Sequence, residues 1–182
     1  EKFEKTGLTP NEQYAYMSMW AMMSAPLFFS GDMGLLDPFT LNILCNHEVI
    51  DIDQDVLGHQ ARIVTSNKDG FTMVKELEDG SFAVGLFYAP GNGLAQSLDM
   101  VDREANGMSD AMGNQEDPAG YFVWDNKPIP MAMVFKSSEI NINGKFRVRD
   151  VWRQKDLGIY EGRFETPVPF HGVMLLKISK VD

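Results

Sequence analysis

Cysteine, histidine and basic residues are all scarce, and each scarcity removes a class of function. A single cysteine, Cys45, excludes an internal disulfide and a cysteine-rich zinc site. The three histidines, His47, His59 and His171, lack the i, i+4 spacing of a helical metal site, and no H-E-x-x-H occurs. Sixteen Lys and Arg against 26 Asp and Glu leave a net charge of −10. Such a chain lacks the cationic footprint that DNA, RNA or an anionic membrane selects, so neither nucleic acid nor membrane is expected as a partner. The longest uncharged apolar stretch, Tyr14 to Gly31, is broken by Ser18, Ser24 and Pro26 and is not a membrane span. No Walker loop, Rossmann glycine pattern or G-x-S-x-G elbow is present, and no cofactor is expected. At 182 residues the chain is too short for a complete (β/α)₈ barrel, which takes about 250. It begins at Glu1 without a methionine or a signal peptide, which suggests a processed product or a fragment; localisation stays open.

What is present speaks two structural grammars. Thr9-Pro10-Asn11-Glu12 is a capping box with proline at the first helical position, so a helix starts there. The run Tyr14 to Met23 is apolar nearly all round, the mark of a helix buried on several sides, and Pro26 ends it. Leu27-Phe28-Phe29 reads as a short strand buried on both faces, closed by Ser30-Gly31-Asp32. A second helix follows Asp37-Pro38 and runs to about Asn46. From Ala61 onward the pattern turns to strands: Ala61–Ser66, Phe71–Glu78, Ser81–Tyr88, Tyr121–Trp124, Met131–Ile140, Lys145–Arg153, Ile159–Glu165 and His171–Ser179. Asp79-Gly80 and Asn143-Gly144 are hairpin signals. Asn92–Gly120 reads as a long polar loop. The fold class is therefore mixed: a helix-strand-helix unit, then an antiparallel β-sandwich. The change of grammar falls between Gln54 and Gln60.

Candidate chemistry is sparse. Asp51-Ile52-Asp53-Gln54-Asp55 resembles the start of a calcium loop, but Val56 and Arg62 stand where an EF-hand requires glycine and glutamate; the carboxylates read as a partly solvated cluster at a strand end or loop. Cys45 reads as a buried, inert thiol. Arg147, Arg149 and Arg153 share one strand face and read as a solvated charged surface. Tyr121, Trp124 and Trp152 are either sandwich core or aromatic platforms for a sugar. Ser30, Gly31 and Asp32 end a strand of parallel type, where ligands of α/β folds gather. Asp32 equally caps the turn to the next helix, and one residue serves both readings.

Several segments together resemble the α-galactosidase (melibiase) family of glycoside hydrolases. They are Leu8-Thr9-Pro10-Asn11-Glu12-Gln13, Trp20 to Leu27, Ser30-Gly31-Asp32, Glu48-Val49-Ile50, Asp53-Gln54-Asp55, Leu57-Gly58, Val148 to Trp152 and Val168 to Gly172. The resemblance implies that residues 1–57 close a catalytic (β/α)₈ barrel, supplying its last two helices and eighth strand. Residues 58–182 would then form the C-terminal β-sandwich. It also implies a parent that hydrolyses terminal α-galactosides with retention, through two aspartates about 5 Å apart. Neither the family's Y-x-K-x-D nor its D-P-D-M occurs here, so no catalytic residue is expected in this chain. Ser30, Gly31 and Asp32, at the barrel mouth, are its expected substrate-binding residues. The implied partners are an α-galactoside-type substrate of the parent and either the missing barrel portion or a second copy. The rival reading is a stand-alone carbohydrate-binding or assembly sandwich.

Overall fold

The computed structural model describes residues 8–90 and 129–181; the readings at Asn92–Gly120, Tyr121 and Trp124 lie outside them. The capping box forms: the Thr9 hydroxyl accepts from the Glu12 amide at 3.3 Å and the Glu12 carboxylate from the Thr9 amide at 2.7 Å. It starts α1 (Pro10–Met22). Two short helices follow, α2 (Pro38–Leu44), capped by Asp37, and α3 (His47–Asp53), capped by Asn46. Among the described residues eight strands come next: β1 (Arg62–Asn67), β2 (Gly70–Glu76), β3 (Phe82–Tyr88), β4 (Met131–Lys136), β5 (Lys145–Asp150), β6 (Lys155–Glu161), β7 (Arg163–Val168) and β8 (Val173–Lys180).

Every strand pairing is antiparallel. Six strands form a sheet in the order β1-β2-β3-β8-β5-β6, and β4 and β7 form a second. The two sheets enclose one apolar layer, which includes Val84, Leu86, Phe135, Phe146, Val148, Phe164 and Ile178. The other face of the larger sheet meets the helices. Phe71, Met73, Leu77, Ala83, Phe87 and Leu175 pack there with Met17, Ala21, Met22, Val49 and Ile52. Alternate residues of β2, β3 and β8 thus enter two different cores. An antiparallel sheet often leaves one face to water. Here the helices cover it, and most positions of these strands are buried.

Several expectations need correction. Leu27-Phe28-Phe29 forms no strand: Phe28 is 85% exposed and Phe29 43%. No strand among the described residues lies alongside to complete a ladder. The second helix stops at Leu44, because Asn46 turns its side chain to the Val49 amide and starts α3. The carboxylates of Asp51 and Asp53 therefore ride on a helix rather than a loop. Asn143-Gly144 is not a hairpin turn but part of a crossover between sheets, since β4 pairs with β7 and β5 with β6 and β8. The expected strand Ile159–Glu165 is the end of one strand and the start of another. Gly162, at φ +73°, breaks it between them. Met131–Ile140 and Lys145–Arg153 also end early, in a 3₁₀ turn at Ser137–Ile140 and a turn after Asp150.

Gly85 makes one close packing possible. A Cβ there would come within 2.5 Å of the Phe87 ring, which stacks on Phe71 with centroids 4.9 Å apart. Gly85→Ala is expected to displace that stack and cost about 1–3 kcal/mol, read as a lower midpoint in urea unfolding. An unchanged midpoint would show that the Phe87 ring has room to shift.

Candidate functional site

Ser30, Gly31 and Asp32 lie exposed on the link between α1 and α2. The Asp32 Oδ1 accepts from the Gly34 amide at 2.8 Å, and its carbonyl accepts from the Leu35 amide at 3.0 Å. Asp32 thus caps the 3₁₀ turn Met33–Leu35, while its Oδ2 has no hydrogen bond among the described residues. It remains available to accept from a ligand hydroxyl. On this link Phe28, Phe29 and Leu35 are exposed, and Tyr16, Leu41 and Val56 are exposed elsewhere in the helical part.

Behind the link lies a buried charged cluster that sequence reasoning missed. Lys75, on β2, is 1% exposed. Its Nζ donates to the Ala21 carbonyl at 3.2 Å, to Ser24 Oγ at 2.7 Å and to the Ile52 carbonyl. Burial pushes the Lys75 amine below its ordinary pKa, against the pull of Asp53 and Asp55. Asp53, 4% exposed, accepts from the Gln54 side-chain Nε2 on Oδ2 but has no partner for Oδ1 among the described residues. Burial raises its pKa, more than Gln54 and the Lys75 charge lower it. A signal was available: a single lysine at the same strand parity as the core residues Met73 and Leu77.

A cleft of about 300 Å³ opens beside α3, lined by Glu48, Asp51, Asp55, Asp79, Arg149 and Lys177 among others. Its cations are engaged: Arg149 holds Glu48 at 2.6 and 2.8 Å and Asp156 at 3.1 Å. Lys177 lies 2.7 Å from Asp79. Burial pushes the Asp79 carboxyl up, but Lys177 and Ser81 outweigh it and hold its pKa at about 2. Arg149 therefore ties a helix to the sheet rather than forming a solvated face with Arg147. Arg153 sits in the turn after β5 and pairs with Asp150.

The remaining candidates fall in separate places. His47 contacts Gln154 and His59 lies 3.9 Å from Glu76. His171 Nδ1 is 3.2 Å from Glu12, and its ring stacks on Phe170. Cys45 is exposed rather than buried: α2 packs through Phe39 and Ile43, and Cys45 caps its end on another side. Trp152 belongs to the core. Its Nε1 donates to Ser18 Oγ at 2.8 Å, and it meets Tyr14 edge-on at 4.8 Å, which removes it as a sugar platform.

Two family profiles match this chain. One, described as alpha galactosidase A, matches residues 3–55; the other, the alpha galactosidase C-terminal beta sandwich domain, matches residues 72–178. Alpha-galactosidase A of Cellvibrio japonicus is 30% identical over 173 residues, covering 95% of this chain and 36% of the relative. A probable alpha-galactosidase of Dictyostelium discoideum is 25% identical over 180 residues, covering 97% and 38%. The crystal structure of alpha-galactosidase I from Mortierella vinacea superposes with a TM-score of 0.71 at 22% identity, covering 96% of this chain and 36% of that one. The chain thus spans little more than a third of the length of these relatives.

The raised pKa of Asp53 makes stability depend on pH. The folded state favours the protonated carboxyl, so its contribution is fully present below the unfolded pKa near 3.8 and is lost as pH rises through the folded pKa. Asp53→Asn removes this titration. Chemical denaturation from pH 3 to pH 7 is expected to show the variant gaining on the wild type as pH rises. A constant difference across that range would show that Asp53 does not titrate on folding.

Proposed function

This chain belongs to the α-galactosidase (melibiase) family, and from that premise we propose that it forms the C-terminal part of a retaining glycoside hydrolase acting on terminal α-galactosides. Residues 1–57 complete the end of the catalytic barrel and residues 58–182 form the sandwich. The two catalytic aspartates lie outside the chain, on the barrel portion that packs over the exposed link. Ser30, Gly31 and Asp32 border the substrate.

The observation that carries this reading is the placement of exposed apolar surface. Phe28, at 85% exposure, and Phe29, Leu35 and Val56 all belong to the helical part. Burying one large apolar side chain yields roughly 1.5–3 kcal/mol, and a contiguous exposed patch marks an interaction surface. The sandwich layer, by contrast, is closed by its own two sheets. Eight of the eleven exposed large apolar side chains among the described residues fall within residues 1–57, and Ile63, Ile129 and Ile159 are the other three; this concentration fits an incomplete barrel better than a self-sufficient binding module.

In this reading the chain contributes to positioning and substrate contact, not to bond cleavage. The free Oδ2 of Asp32 accepts a hydrogen bond from a sugar hydroxyl, a charge-assisted contact worth about 1.5–3 kcal/mol. Bond cleavage needs a nucleophile and an acid/base at a separation of about 5 Å, and these come from the rest of the barrel.

The 182-residue chain alone is expected to release no p-nitrophenol from an aryl α-galactoside above the buffer rate. Turnover at enzyme-like rates would overturn the proposal. In a polypeptide that also carries the two aspartates, Asp32→Ala is expected to lower kcat/KM roughly tenfold or more, as loss of a charged hydrogen bond implies. An unchanged kcat/KM would remove Asp32 from the substrate site.

A further inference from the structure

Lys75 does more than fill the core. Among the described residues it is the only Lys or Arg that is fully buried, and its three ammonium protons meet three acceptors. Two are carbonyls, of Ala21 and Ile52, in the last turns of α1 and α3. There the helix dipole favours a cation, and the Lys75 ammonium adds to the Ser24 amide, which donates to the Ala21 carbonyl at 3.3 Å. The third acceptor is the Ser24 hydroxyl, in the turn that follows α1.

Ser24 has φ +48°, in the left-handed region that a side chain disfavours. Such a conformation persists only where the surroundings impose it. Here they do so from both sides. Lys75 donates to Ser24 Oγ at 2.7 Å, and Ser24 Oγ donates to the His59 carbonyl at 3.1 Å. Next to it the Ala61 amide donates to the Met22 carbonyl at 2.8 Å, and the Ala25 amide to the Trp20 carbonyl at 3.2 Å. From this turn the chain runs through Pro26 directly to Ser30, Gly31 and Asp32.

We propose that Lys75 is a positioning residue for the substrate-facing link. From the sandwich it holds Ser24 in the left-handed conformation, and so sets the direction in which Pro26–Asp32 leaves α1. The proposal rests on the reading of Ser30–Asp32 given above for its functional meaning, but its geometry does not. It also gives the sandwich a task beyond covering the barrel end: a strand of one unit orients a loop of the other.

The test is amide hydrogen exchange on the full 182-residue chain in the wild type, Lys75→Met, Ser24→Gly and the double variant. The probes are the amides of Phe28, Gly34 and Leu35, which bond within the link. Lys75→Met is expected to accelerate them at least tenfold while the amides of β3 and β8 keep wild-type rates. In the Ser24→Gly background the same substitution is expected to accelerate them much less. Glycine accepts positive φ unaided and offers Lys75 no hydroxyl. Link amides unchanged by Lys75→Met would overturn the proposal, as would equal acceleration in both backgrounds. Should Lys75→Met fail to fold, Ser24→Ala decides. It keeps both carbonyl bonds of Lys75 and still must accelerate the link amides selectively; wild-type rates there would refute the role. Exchange is read without substrate. A positive result together with an unchanged kcat/KM for Asp32→Ala would therefore keep the positioning and discard the substrate reading.

Discussion

A buried lysine ammonium needs an acceptor for each of its protons, and a paired sheet has none to spare. Lys75 projects from β2 into the layer between sheet and helices, where every strand carbonyl nearby is committed to the ladder. The last turns of α1 and α3 supply carbonyls with capacity to accept a further hydrogen bond. Both helices therefore end at the same place, over the last residues of β2, and their apolar faces pack with Phe71, Met73 and Phe87. The Asp53 carboxylate enters this layer as a consequence, being the residue next to Ile52 in α3. Around the cluster, Arg149–Glu48 and Asn46–Trp152 tie α3 to the far half of the same sheet. Asn11–Phe170 and His171–Glu12 tie the start of α1 to the β7–β8 loop.

Much of this was legible in the sequence, and the unread parts have physical reasons. The capping box at Thr9 and the Asp37-Pro38 helix start are local signals, set by hydrogen bonds within a few residues, and the change to strands near Ala61 falls within one residue of β1. Leu27-Phe28-Phe29 reads as a buried strand because its composition fits one, but a strand exists only with a neighbour to pair with. The helix α3 was hidden because its carboxylates mask a short apolar stripe, Val49 and Ile52, that packs inward. Sheet order was beyond reach for the same kind of reason. Asn143-Gly144 permits a turn, yet the partner of β5 is set by packing of Phe146 and Val148 across two sheets. The burial of Lys75 runs against the ordinary place of lysine on the solvent face.

The candidate site followed the same division. Ser30, Gly31 and Asp32 were read together as closing one segment and do share one exposed link. The residues behind that link come from β2, α1 and α3, about fifty and twenty positions apart along the chain. No local motif announces such a cluster. In the proposed reading, the exposed helical face points outward, to further barrel structure. The Lys75 cluster points inward, to the joint between link and sandwich.

Tied in this way, the helices and the sandwich fold as one cooperative unit, although the sequence changes grammar between them. The most direct measurement follows equilibrium unfolding of the chain in urea by two signals. One is tryptophan fluorescence, to which Trp20 and Trp152 contribute from the helix side of the sheet; the other is far-ultraviolet circular dichroism. The account predicts coincident transitions with a single midpoint. Loss of the fluorescence signal at lower urea, with the sheet signal intact, would contradict it.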